Sequence, residues 1–139
     1  MTNEALAQSY LRKALDRLDV LDLLMGKGAY SDVVREAQEI VELALKAMLR
    51  EVGVEPPKWH DVGSILKDER RRFPPDVQGE LDELARISEW LRAEREVSFY
   101  GDEDVVPTEA YDEDDGSRAI ADARRVVACA RRVVRVPVS

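Results

Sequence analysis

The strongest pattern in the chain is a stripe of apolar residues that runs through residues 30–52. Its members follow one another at intervals of three residues or one, which places them on one wide face of an α-helix. We expect Ser31 to cap the start of this helix and Gly53 to end it in a left-handed turn. A face this wide needs cover from more than one side, so the flanking segments are predicted to be helices packed against it. The stripe consists of Tyr30, Val33, Val34, Ala37, Ile40, Val41, Ala44, Leu45, Met48, Leu49 and Val52.

The segment before the stripe has the same helical spacing. Residues 3–25 place Leu11, Leu21 and several other apolar residues on one face, with charged residues opposite. Gly26 and Gly28 then end this first helix and leave only a short turn before the stripe. Because short connections favour antiparallel neighbours, we expect the two helices to form a hairpin.

Proline residues punctuate the segment after the stripe. Pro56 and Pro57 prevent the second helix from continuing. A short helix is predicted next, with either His60 or Asp61 as its N-cap. Its apolar residues are Val62, Ile65 and Leu66.

Two more long helices are predicted in the second half of the chain. The third covers residues 76–98, with Asp76 as a plausible N-cap. Residues 101–116 then form a long acidic loop, and a loop of this length in a small bundle is either functional or mobile. Ser117 is expected to cap the last helix, whose inward face is rich in Ala and Val.

These elements predict an all-α fold, an up-and-down four-helix bundle with a short extra helix in the connection between the second and third long helices. The chain of 139 residues suits a single domain spanning residues 1–139, with its core over about residues 4–135. No membrane association is expected, because the sequence has no apolar run long enough to span a bilayer.

The N-terminal residues and the cysteine count suggest a compartment. The chain begins without the basic start and apolar middle of a signal peptide. Cys129, the single cysteine, excludes an intrachain disulfide and lies among small apolar residues, which indicates a buried packing role in a reducing cytoplasm. With one Cys and one His, no metal site is expected, and no cofactor is predicted.

Charge is distributed unevenly along the chain. The formal net charge is −8, and residues 102–115 alone hold eight acids and no Lys or Arg. The acidic balance makes general coating of nucleic acid, and DNA binding in particular, unexpected, although a local basic site remains compatible with it. Of the 21 basic residues 16 are Arg, which serves phosphate contacts and ion-pair networks equally well, so this bias does not separate the two uses.

Three segments taken in order resemble the HEPN domain family of four-helix bundles, named for nucleotide binding in higher eukaryotes and prokaryotes. The segment KGAYSDVVREAQEIVELALKAML resembles the second helix of the family, VGVEPPKWHDVGSIL its connector, and LRAEREVSFYGDED the end of its third helix. The resemblance covers roughly residues 4–135. Its features in the second helix are Gly28, Tyr30, Gln38, Glu42, Lys46 and Ala47.

The resemblance implies a function as well as a fold. HEPN proteins are commonly homodimers, and many are metal-independent ribonuclease toxins encoded beside a minimal nucleotidyltransferase that acts as antitoxin. Their catalytic motif is an Arg followed by a His four to six residues later, near the end of the third helix. The resemblance makes Arg95 the functional Arg here, and makes His60 the connector histidine, which we expect to have a structural role at the start of the short helix.

The sequence departs from this motif at the histidine. Counting four intervening residues from Arg95 gives Tyr100 instead of a His, and the corresponding positions after Arg92 also lack a His. Cleavage of RNA without a metal needs a group that exchanges a proton near neutral pH, which His does and Tyr, with a reference pKa of about 10, does not do unperturbed. Arg95 remains suited to binding phosphate or stabilising charge on it.

Three functional hypotheses follow. The first is a non-catalytic dimeric HEPN module that binds a nucleotide, or a minimal nucleotidyltransferase partner, through Arg92, Arg95 and Tyr100. The second is a ribonuclease toxin with an altered motif, in which Arg95 and Tyr100 are catalytic and RNA is the substrate. The third is a structural bundle without a ligand. For the arginines themselves the alternative is salt bridging at the helix end, with neighbouring glutamates or the acidic loop.

Overall fold

The structure is a computed structural model of the chain and describes residues 3–58 and 61–135. The described residues form seven α-helices and no β-strand, which confirms the predicted all-α class. A short 3₁₀ helix, Arg70–Arg72, lies between the third and fourth α-helices. The α-helices are α1 Asn3–Gly26, α2 Tyr30–Glu51, α3 Val62–Asp68, α4 Pro75–Gln78, α5 Leu81–Tyr100, α6 Pro107–Ala110 and α7 Glu113–Val133.

Helix α2 is the central element, as the apolar stripe predicts. Twelve of its 22 residues are buried, against four of the 24 residues of α1, so α2 is covered on more sides than α1. It packs against the three other long helices, α1, α5 and α7. Its closest partners are α1 and α7, whereas α7 and α5 touch each other only slightly.

Contacts between helix ends show how α1 is oriented relative to α2 and α7. The start of α1 meets the end of α2, where the Arg50 guanidinium donates to the side-chain oxygen of Asn3 at 3.1 Å. The start of α1 also meets the end of α7, where the Gln8 side chain donates to the carbonyl of Arg135 at 2.8 Å. Helix α1 is therefore antiparallel to both, and the predicted hairpin of α1 and α2 is confirmed.

Of the two ends predicted for α2, the C-terminal one is confirmed and the N-terminal one is not. Gly53 has a φ of +83° and the following Val54 N–H donates to the Leu49 carbonyl at 2.9 Å, so the predicted left-handed termination is confirmed. The prediction of Ser31 as the cap is wrong. Ala29 occupies the N-cap position without a side-chain hydrogen bond, and Ser31 is buried inside the first turn.

The third long helix begins later than the spacing predicts. Residues 76–98 are not one helix, because Gly79 and Glu80 separate α4 from α5. Asp76 is not the N-cap of the long helix; its carboxylate lies in α4 and accepts from Arg132 at 2.7 Å. The apolar residues of α4 and α5 keep the same period across the break, so periodicity alone could not reveal it.

The predicted acidic loop is partly helical. Helix α6 lies within residues 101–116, and α7 begins at Glu113 rather than at Ser117. Asp112 is the actual N-cap and forms a reciprocal capping box with Asp115. Acids in a first helical turn compensate the positive end of the helix dipole, so part of the acidic run has a structural cause.

Two further predictions concern single residues. Asp61 caps α3 by accepting from the Gly63 N–H at 3.0 Å, whereas the alternative cap, His60, lies outside the described residues. Cys129 is buried as predicted, and burial raises the pKa of its thiol to about 11, so the thiol stays un-ionised at neutral pH. Within the described parts of the chain, none of the helices combines the length and apolar character that crossing a membrane requires.

Candidate functional site: a cationic cleft between α2 and α5

A cleft of about 340 Å³ opens between the polar faces of α2 and α5. Helix α2 lines one wall, α5 the other, and the connector before α3 closes one side. Among the described residues the lining side chains are Gln38, Glu39, Glu42 and Lys46 from α2, Pro57 and Lys58 from the connector, and Arg92 and Arg95 from α5.

Helical spacing places these side chains on facing surfaces. Gln38, Glu42 and Lys46 follow one another at intervals of four residues, which puts them on one side of α2. Arg92 and Arg95 are three residues apart and therefore share one face of α5. Twelve of the 22 residues of α2 are buried, and Glu39, Glu42 and Lys46 are among those that are not, so they can line an open cleft.

The charge of the cleft is opposite to that of the chain. Four cationic and two acidic side chains line it, a formal excess of two positive charges in a chain whose net charge is −8. Both acids already have arginine partners. Glu39 pairs with Arg35, one turn earlier on α2, and Glu42 pairs with Arg92 at 3.3 Å. The cleft is therefore an electropositive feature of an acidic molecule.

The remaining cations lack such partners. Within residues 3–58 and 61–135, the Arg95 guanidinium and the ammonium groups of Lys46 and Lys58 form no ion pair. Three like charges gathered in one cleft repel one another unless an anion lies between them. Because a guanidinium offers paired N–H donors that match phosphate oxygens, the chemistry of this cleft fits a phosphate group.

Tyr100 does not line the cleft with the two arginines. It is five residues after Arg95, which turns it by about 140° around the helix axis, and it is 77% exposed. Its ring packs edge-on against Phe99, with ring centroids 4.8 Å apart. The structure thus brings Arg92 and Arg95 together and leaves Tyr100 apart, while the roles predicted for all three stay predictions.

Comparison with known proteins identifies the family of the chain. The family model of the HEPN domain matches residues 7–133, nearly the whole chain. The chain belongs to the HEPN domain family. No curated protein matched the sequence. Among solved structures, the chain is similar to the crystal structure of TT1696 from Thermus thermophilus, with 22% identity, a TM-score of 0.71, and coverage of 91% of this chain and 96% of that one. At this identity the likeness supports the fold alone.

Membership in the HEPN family confirms the resemblance that the sequence motifs indicated. It supports a nucleotide-binding or ribonuclease-like module. Helix α5 carries Arg95 near its C-terminal end, the place where the resemblance locates the functional arginine of a HEPN domain. His60, the connector histidine of the resemblance, lies outside the described residues.

Sequence reasoning missed several residues of the HEPN cleft. Glu42 and Lys46 were noted as family features but not as site residues, and Lys58 gave no signal of its own. Gln38 was also noted as a family feature, and its burial, which only the structure shows, calls for a hydrogen-bond partner. Its side-chain oxygen accepts from the Arg35 guanidinium at 3.2 Å. The salt bridge of Arg92 also differs from the expected helix-end pairs, since its partner Glu42 is 50 residues away on α2.

The acidic segment of this HEPN domain stays out of the cleft. None of the described lining residues belongs to residues 102–115. Tyr111 ties this segment to the outside of α5, where its hydroxyl donates to the Glu94 carboxylate at 2.6 Å. Partial burial, together with the bond to Glu94, raises the pKa of Tyr111, so this hydroxyl remains a donor at neutral pH. The acids therefore do not occupy the cleft as a built-in anion.

Proposed function

We propose that this HEPN protein is a dimeric binding module that holds phosphate groups of a nucleotide or RNA in the α2–α5 cleft and does not cleave them. The single observation that carries the proposal is the cation group Arg95, Lys46 and Lys58, which lacks ion pairs within the described residues. Cations without acid partners in an acidic protein indicate an external anion. The proposal includes the topology of the fold: the four long helices, α1, α2, α5 and α7, form an up-and-down bundle.

The absence of cleavage follows from the chemistry of the chain near Arg95. No His stands four to six residues after Arg92 or Arg95. Tyr100, the substitute considered from the sequence, is turned away from the arginines and exposed. None of the described lining side chains exchanges a proton near neutral pH, so we expect the cleft to bind RNA without activating its 2′-hydroxyl.

The proposal also includes partners. In line with the family resemblance, we infer a cytoplasmic homodimer that associates with a minimal nucleotidyltransferase in a toxin–antitoxin-like pair. Support for this part comes only from what the family implies. Size-exclusion chromatography with light scattering tests the dimer, and a monomer at micromolar concentration would contradict it.

Cleavage is tested with purified protein, a mixed RNA pool and EDTA. We expect intact RNA, because a metal-free reaction needs the missing proton donor and acceptor. Cleavage by the parent protein that disappears in Arg95→Ala would replace the proposal with the ribonuclease hypothesis. Cleavage that persists in Arg95→Ala would point to a contaminating enzyme.

Binding is tested by fluorescence anisotropy with a single-stranded RNA. We expect Arg95→Gln to weaken binding about tenfold and to lower the slope of log K against log salt by about 0.7, the value for one phosphate contact on a single strand. Arg12→Gln is the matched control, because Arg12 is exposed on α1 and its replacement changes the net charge by the same amount. Equal losses in both variants, or no binding by the parent protein, would contradict the phosphate cleft.

A further inference from the structure

Two aromatic side chains lie exposed at the end of α5. Phe99 is 51% exposed and Tyr100 is 77% exposed, and they are the two aromatic members of the exposed large apolar side chains among the described residues. Their rings contact each other in an edge-to-face arrangement. Neither ring belongs to the hydrophobic core. Adjacent exposed aromatic side chains are typical of surfaces that bind a ligand or a partner.

Phe99 stands beside the cationic cleft. It follows Arg95 by four residues, so it lies on nearly the same face of α5, about 6 Å further along the helix axis. From the other wall, the Arg35 guanidinium approaches the Phe99 ring to 5.7 Å from the centroid. Arg35 is bonded to Gln38 and Glu39, which line the cleft. The ring is therefore connected to both walls at one end of the cleft.

We propose that Phe99 is a nucleobase-stacking platform of this cleft, so that the ligand is a nucleotide or single-stranded RNA rather than a bare phosphate compound. The inference rests on the proposed phosphate cleft. One helical turn between Arg95 and Phe99 corresponds to the distance that a ribose spans between its phosphate and its base. A base placed on the ring leaves its phosphate at the Arg95 guanidinium.

The surrounding charges favour this occupant. Arg35 contacts the ring by a cation–π interaction and is itself neutralised by Glu39, which fixes the ring beside the cleft. A polyanion with flat bases complements both the positive cleft and the aromatic surface.

The test compares two ligands that differ only in their bases. One is a single-stranded hexa-adenylate RNA, and the other is an abasic hexamer with the same sugars and phosphates. The parent protein is expected to bind hexa-adenylate about tenfold more tightly, because each stacked base adds binding energy. Phe99→Leu is expected to remove most of this preference, and Phe99→Trp to retain it.

The controls separate this inference from the proposed function. Leu23 is another exposed apolar residue, 60% exposed and located on α1. The control variant Leu23→Ala should leave the preference for hexa-adenylate intact. Equal binding of the two ligands by the parent protein, or an unchanged preference in Phe99→Leu, would overturn the platform and leave the phosphate cleft standing. A Phe99→Leu variant that loses self-association but not base preference would assign the ring to a subunit contact instead. Binding of neither ligand would overturn the cleft and the platform together.

Discussion

The arginines of α7 and the cations of the α2–α5 cleft come from the same Arg-rich composition but have different surroundings. On α7, Arg124 pairs with Asp22 of α1 at 2.8 Å and Arg125 lies 3.6 Å from Glu83 of α5. Arg132 pairs with both Asp76 and Glu80 near α4. In the cleft, Arg95 lacks an ion pair within the part of the chain that the structure describes.

This difference teaches how to distinguish structural from functional arginines. The pairings of Arg124, Arg125 and Arg132 join α7 to other elements, so these three arginines stabilise the packing of helices. Among the described residues, none of their ion pairs involves the acidic segment 102–115. Exposed pairs of this kind contribute little individually, whereas a cation group without partners is available to a ligand. Composition could not separate the two classes, because Arg suits both uses.

The largest effect is expected at the close contact beside the cleft, where α3 lies directly on α5. A Cβ built on Gly63 would lie 2.9 Å from the Cα of Ala85, so Gly63→Ala must push the backbones apart. We expect this overpacking to lower the free energy of unfolding by about 1–3 kcal/mol, measured by chemical denaturation. The matched control is Gly79→Ala, where a Cβ meets no atom within 4 Å. Equal stability of the two variants would show that the contact is not tight.

An intermediate effect is expected when one arginine of each region is replaced and both the RNA affinity and the Tm of each variant are measured. Arg95→Gln should weaken RNA binding about tenfold and leave the Tm unchanged, because its guanidinium stabilises no other described element. Arg132→Gln should lower the Tm slightly and leave RNA affinity unchanged, because its partners Asp76 and Glu80 lie outside the cleft. Thermal denaturation and fluorescence anisotropy on the same preparations provide both readouts. Loss of RNA affinity in Arg132→Gln would remove the distinction between the regions.

The smallest effect is a dependence of the α7 pairing on pH. A hydrogen bond from Arg132 holds the pKa of Asp76 below its reference value of 3.8. A carboxylate with a lowered pKa stabilises the folded state above its unfolded pKa, and this contribution disappears as the pH falls through the folded value. The Tm difference between the parent and Arg132→Gln should therefore shrink below about pH 4. Arg131→Gln, at an exposed position on the same helix, should show no such trend.

Much of the local structure was predictable because it depends on short-range rules. The stripe of α2, its termination at Gly53 and the cap at Asp61 each follow from a few neighbouring residues. The missed cap at Asp112 had a local signal too, since Asp115 stands three residues later as a capping box requires. That signal was hidden inside a run of acids that was treated only as charge.

By itself the sequence determined the first two long helices, the family resemblance and the shared face of Arg92 and Arg95, because helical periodicity relates residues less than two turns apart. It also contained the separation of Arg95 from Tyr100, which a spacing of five residues requires in any α-helix. Only the tertiary structure decided that Glu42 neutralises Arg92, that α7 arginines find acids on other helices, and that Phe99 lies beside Arg35. These pairings join residues far apart in the chain, and the packing of helices against α2 sets their distances.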